Sequence, residues 1–209
     1  MIVPSMNTQQ VYTEFLQGYS AVQRKINSLS SKFRRLAIRK RSNFLTLDYT
    51  DPQKNKWCIH VIFNKNSYTT LPFLYYHGNN GYQALRLHLE TGECEAYNPH
   101  FFSRFNERVN IGSKSSMETM KAYFLMSFEV QVHQEKDNTF HAEIAVGVGL
   151  GYRITDYLIQ YKTFLTHDML RGQQISLSKK LRERMTENPA VNTILLELAK
   201  ENITDVRLN

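Results

Sequence analysis

The stretch Cys94-Glu95-Ala96-Tyr97-Asn98-Pro99-His100-Phe101-Phe102-Ser103-Arg104-Phe105-Asn106-Glu107-Arg108-Val109 decides the fold, because a strand hands over to a helix inside it. Cys94 to Tyr97 reads as the short return strand of an antiparallel meander. Asn98 can accept a hydrogen bond from an orphan helix amide, and Pro99 suits the first helical position, where its missing N–H costs nothing. Tyr97 and Phe102 flank this start as a hydrophobic staple. At about 100° per residue, Phe101, Phe102, Phe105 and Val109 share one arc of the helix, and His100, Arg104 and Arg108 the next. Ser103, Asn106 and Glu107 take the solvent side. The His/Arg row therefore lies at the rim of the core that the phenylalanines enter.

That row is the candidate site. The positive end of the helix dipole and two nearby guanidiniums disfavour an imidazolium at His100, and a neutral imidazole can act as a general base. Arg104 and Arg108 offer planar forks suited to phosphate or carboxylate, so the expected substrate is an anion, with a phosphodiester the best fit. The competing reading makes His100 a cap-region polar residue and the arginines side chains that cover the core edge or pair with Glu107.

Upstream, apolar residues recur at Phe15, Tyr19, Val22, Ile26, Leu29, Phe33 and Leu36, a three-heptad seam along one long helix. The seam calls for a partner helix, in the same chain or in a second copy, which makes a homo-oligomer through this helix an expectation. Gly18 and the serines at 28, 30 and 31 weaken the helix and mark a bend. Its end is basic. Arg34, Arg35, Arg39, Lys40 and Arg41 read either as a dipole-matched helix terminus or as a nucleic-acid-binding patch.

Strands follow at Phe44 to Tyr49, Trp57 to Phe63 and Tyr68 to Tyr76, where Pro72 predicts an edge or bulged strand. Gly78-Asn79-Asn80-Gly81 makes a turn into Tyr82 to Glu90, with Leu85, Leu87 and Leu89 opposite Arg86, His88 and Glu90. Beyond the His/Arg helix, Ser115 and Glu118 form a capping box for a helix with Met117, Met120, Phe124 and Leu125 inward. Strands are expected at Phe128 to His133 and through Phe140, Ala142, Ile144 and Val146, which alternate with His141 and Glu143. Gly147-Val148-Gly149-Leu150-Gly151 lacks the following helix and the Lys-Ser/Thr of a phosphate loop, so it reads as a hairpin or a place of close backbone approach. Tyr152 to Thr166 is β-rich. A short helix from His167 to Gln174, a basic one from Ser178 and a last one from Asn188-Pro189 close the chain.

With 209 residues, 42% hydrophobic and 12% aromatic, the sequence describes one domain at 1–209, with residues 1–41 as a helical arm and 175–209 as a helical tail. The fold class is α+β: antiparallel sheet or sheets, with a long N-terminal helix and C-terminal helices packed at the ends. A net charge of +7 and a pI near 9.4 favour an anionic partner, with RNA or other nucleic acid first. Cys58 and Cys94 are far apart and read as buried thiols in a reducing compartment. The start lacks the pattern of a signal peptide and no apolar run reaches membrane length, so a cytoplasmic location without membrane contact is expected. No metal and no cofactor is expected. H-E-x-x-H is absent, and His141-Ala142-Glu143 lacks the downstream P-C-x-x-C of zinc deaminases.

A helix reading H-x-x-x-R-x-x-x-R, followed by a helix and antiparallel strands, resembles the barnase, colicin and RelE-like group of metal-independent toxin ribonucleases over residues 100–166. The resemblance implies that His100 moves a proton in 2′-hydroxyl attack on phosphorus and that Arg104 and Arg108 stabilise the transition-state charge, with Glu143, Tyr161 and Thr163 completing the site. The basic helix and the meander that precede the motif then read as an RNA-binding or dimerising module. Three expectations stand: a nucleic-acid-directed, RNA-cleaving enzyme; a noncatalytic dimeric interaction or nucleic-acid-binding protein using the N-terminal helix and its basic end; or a structural or mobile-element accessory protein with no small-molecule site.

Overall fold

The computed structural model describes residues 1–39, 43–63, 66–88, 91–113, 115–135 and 137–185. It confirms the α+β class. The chain divides into two compact units, the first within Met1–Asn79 and the second within Asn80–Glu197, of which the described part ends at 185.

In the first unit, helix α1 (Thr8–Arg39) lies on an antiparallel sheet of β1 (Phe44–Thr50), β2 (Lys56–Phe63) and β3 (Tyr68–Gly78). The predicted seam exists: Phe15, Val22, Ile26 and Phe33 are buried, and Tyr19, Leu29 and Leu36 are half-buried. Its partner is different. The seam packs on β2 and β3 rather than on another helix, so the surface that the expected dimer would have used is covered by the chain's own sheet. Phe15 meets Trp57 with ring centroids 5.3 Å apart, and Phe33 meets Tyr68 at 5.2 Å. Gly18 serves this contact rather than a bend: a Cβ there would stand 2.5 Å from Asp51 Oδ2 and 2.9 Å from the Trp57 ring. The β1–β2 turn is pinned from inside, where buried Asp51 accepts from the Asn55 amide (2.8 Å) and from Trp57 Nε1 (3.0 Å). Pro72 sits opposite Ile59 in a β2–β3 ladder that runs without a register shift.

The second unit holds a six-stranded sheet in the order β4 (Gly81–Leu87), β5 (Cys94–Tyr97), β9 (Leu158–Leu165), β8 (Gly147–Thr155), β7 (Thr139–Ile144), β6 (Gln131–Gln134). Every neighbouring pair is antiparallel except β5–β9, which is parallel. Helices α2 (Pro99–Val109) and α3 (Ser116–Met126) pack together over β9 and β4. The glycine string lies on β8 under α2. A Cβ on Gly149 would press on Phe101, one on Gly151 would stand 2.9 Å from the Tyr161 ring, and one on Gly147 would run into the Leu165 carbonyl. Close backbone approach is thus what these glycines provide. A bulge on β9, where Leu150 pairs Thr163 and Gly151 pairs Tyr161, skips Lys162 and turns both Tyr161 and Phe164 toward α2. The core there is aromatic: Tyr97, Phe101, Phe102, Phe105, Tyr123, Phe124, Tyr161 and Phe164 are all buried.

Directly opposed residues share a face of a sheet, and adjacent rows alternate. The row Ala142–Gly149–Phe164 faces α2, so the row Glu143–Val148–Leu165 faces the other way. That second face receives a 3-10 turn (His167–Met169) and helix α4 (Gln173–Met185), which packs on β6 and β7. The expected helix from His167 to Gln174 is only this turn, and α4 begins at Gln173, ahead of Ser178. The helix expected after Asn188-Pro189 lies outside the described residues.

Candidate functional site

Helix α2 forms as its termini dictate. The Asn98 side chain accepts from the Phe101 amide at 2.8 Å, Pro99 opens the first turn, and Asn110 ends the helix in the left-handed conformation. Tyr97 stacks on Phe102 at 6.0 Å, which is the expected staple. Among the described residues, the side chains of the row beside this apolar face do not converge on one point. His100 is exposed, and no side chain among the described residues hydrogen-bonds to it. Arg104 pairs with Glu107 at 2.8 Å on the surface. Arg108 donates to the Phe164 carbonyl and reaches Thr163 Oγ1 at 3.4 Å. β5 stops at Tyr97, opposite Tyr161, so β9 runs on past the end of its neighbour and the Arg108 guanidinium takes the carbonyl there. A groove of about 250 Å³ does run along α2, but it is lined from the helix's other side by Pro99, Phe102, Ser103 and Asn106. Of the three strand residues nominated for His100, only Thr163 meets the row, through Arg108.

Tyr161 belongs elsewhere. Its hydroxyl points to Glu95 Oε1 (3.4 Å) in a wholly enclosed polar cluster around Arg86 and Glu95, 2% and 0% exposed. Arg86 Nε donates to Glu95 Oε2 at 2.6 Å, Nη1 to the Ser127 carbonyl (3.2 Å) and hydroxyl (3.1 Å), and Nη2 to Tyr97 Oη at 3.1 Å, while the Tyr97 hydroxyl donates to Glu95 at 2.9 Å. Burial works against the Arg86 charge, but the Glu95 carboxylate outweighs it and holds the guanidinium firmly protonated. Burial also pushes the Tyr97 and Tyr161 hydroxyls well above the ordinary phenol range, with the Glu95 charge adding to it. With no route for a substrate, this cluster is a structural pin. Arg86 is enclosed because both faces of β4 are covered at that position. Its signal lay in the hairpin register, which sets Arg86 directly across from Glu95.

Glu143 finds an imidazole, though not that of His100. Its side chain is fully buried on β7, and Oε1 lies 2.6 Å from His167 Nε2 and 3.7 Å from Arg182 Nε. Oε2 has no hydrogen-bond partner among the described residues. His167 and Arg182 keep side-chain exposures of 23% and 42%. The carboxylate thus anchors an imidazole and a guanidinium at the surface, on the face away from α2. Neither partner was nominated from the sequence, since they stand 24 and 39 positions downstream on other elements; Thr166-His167-Asp168 at a strand end was the only local hint.

The described basic candidates lie at the surface. Arg34, Arg35 and Arg39 are exposed on α1, together with Arg24, Lys25 and Lys32, and none of the six makes an ion pair among the described residues. Lys40 and Arg41 lie outside the described residues. No group of three or more His, Cys, Asp or Glu among the described residues converges on a point that could hold a metal ion, and no described helix is long and apolar enough to cross a membrane. No protein-family profile, curated protein or solved structure matches the chain.

Proposed function

We propose that the protein is nucleic-acid-directed and holds an anionic backbone along the outer face of α1. The supporting observation is the set of exposed cations on that helix, with no carboxylate among them. From Arg24 to Arg39 every charged side chain is an exposed cation, and the span is about 22 Å at 1.5 Å per residue. The buried seam on the opposite side fixes α1 to its sheet, so the cations are presented on a rigid rod rather than a mobile tail. Cations without carboxylate partners release counterions from a phosphate backbone on contact, and that release carries most sequence-independent binding.

The test is fluorescence anisotropy with a labelled 20-nucleotide single-stranded RNA, a duplex RNA and a duplex DNA across a salt series. Affinity should fall steeply with salt. The triple variant Arg34→Glu, Arg35→Glu, Arg39→Glu should bind at least tenfold more weakly and flatten the log–log salt slope by about two to three. Salt-insensitive binding, or equal binding by the variant, would remove α1 from the reading.

A further inference from the structure

We propose that a groove between α1 and β1 takes an unpaired base of a single-stranded nucleic acid while the cations beside it hold the flanking phosphates, an assignment that rests on the nucleic-acid reading above. The groove lies within the first unit and has a volume of about 220 Å³. Its floor is apolar, with Leu29 from α1, Leu45 and Leu47 from β1 and Ile59 from β2. Among the described strands β1 pairs with β2 alone, so no further strand closes the groove on that side. Charge is distributed unevenly around it. Lys25 and Lys32 line it from α1, two turns and about 10 Å apart, and Arg39 continues the same row at the next seven-residue step. All three are exposed and make no ion pair among the described residues. The one carboxylate residue in the lining, Asp48, stands opposite Cys58, between the rows of Leu47 and Tyr49, so its side chain belongs to the face of the sheet turned away from α1. The helix rim of the groove therefore favours an anion.

Tyr49 decides what accompanies that anion. Tyr19 and Tyr68 pack their rings on Trp57 and Phe33, whereas the half-buried Tyr49 ring lines the groove and meets no other ring among the described residues. An apolar floor, an aromatic ring with no ring partner and a row of cations along one rim are the parts of a single-strand platform, in which bases stack on the ring and the cations track the backbone. A volume below the roughly 300–1,000 Å³ of drug-sized pockets suits one base rather than several. A duplex keeps its bases stacked inside and offers the rim only phosphates, so it leaves the floor uncovered. An aliphatic anion would cover the floor but has no π-face for Tyr49.

The experiment measures anisotropy of the full chain with a labelled single-stranded DNA, an abasic strand of the same length and charge, and a duplex of the same sequence. The base-bearing strand should bind about tenfold more tightly than the abasic one. Tyr49→Leu, which keeps an apolar side chain on the sheet, should remove most of that advantage and leave duplex binding unchanged, while Tyr49→Phe should retain it. Lys25→Gln combined with Lys32→Gln should flatten the log–log salt slope by about one to one and a half for both single strands. Equal binding of the base-bearing and abasic strands overturns the groove while leaving the α1 reading in place. Full base dependence in Tyr49→Leu, or equal weakening of single strand and duplex by it, does the same. Absence of binding to every oligonucleotide overturns both. The abasic comparison uses the unaltered chain, so it decides the matter even where Tyr49→Leu fails to fold.

Discussion

A guanidinium survives in an aromatic core only where its donors all find oxygens, and Arg86 meets that condition through Glu95, Tyr97 and Ser127. Removing one partner leaves the other charge buried and uncompensated. Arg86→Met should therefore cost about 3–5 kcal/mol in urea unfolding, and adding Glu95→Leu should recover most of the loss, since an apolar replacement of both partners is often neutral. A double variant no more stable than the single one would show that the ion pair itself holds β4 to β5. His141 is the second residue whose burial has a measurable consequence. Burial holds its imidazole below the ordinary histidine range, ahead of the opposing pull of Glu135 and the repulsion from His133. The unfolded chain then takes up a proton that the native state refuses, so stability should fall as pH drops through about 6.5 toward the lower native value. Above that window both states are neutral and the residue contributes no slope. Denaturant midpoints from pH 7.5 to 5 should show the fall, and His141→Gln should reduce it.

Among the elements, α1 is fitted to its sheet at one point above all. Gly18→Ala would drive a methyl group against Asp51 and the Trp57 ring, and overpacking of this kind typically costs about 1–3 kcal/mol. Thermal melts of the full chain should show it; a neutral result would mean that the Asp51–Trp57 pair can slide aside. The two long readings of the sequence divide cleanly at this scale. The α2 helix was legible because an N-cap, a proline and a staple are all local, lying within five residues of one another. The heptad seam of α1 was legible as a buried stripe, yet its partner was not, because the same spacing suits a sheet as well as a second helix. Glu143 was legible as a capable side chain on a strand, but its face was not: β7 is covered on both sides, and the imidazole it meets belongs to a turn 24 residues on. The bulge that skips Lys162 leaves no mark in the residue pattern, so the facing of Tyr161 and Thr163 is set by strand pairing that no local spacing encodes.

At the scale of the whole molecule, the parallel pairing of β5 with β9 sets the order of events. All other pairs in the second unit's sheet join strands adjacent in the chain, whereas Cys94 meets Leu158 only after α2, α3 and three further strands have been laid down. A chain ending at residue 157 should therefore lack a folded second unit, and its amide spectrum should show no dispersed resonances from residues 80–157. On the ribosome the same arrangement imposes a delay. At about 5–20 residues per second, β5 emerges roughly 3 to 13 seconds before the strand it needs, and through that interval its outer edge has only water, or a chaperone, for company.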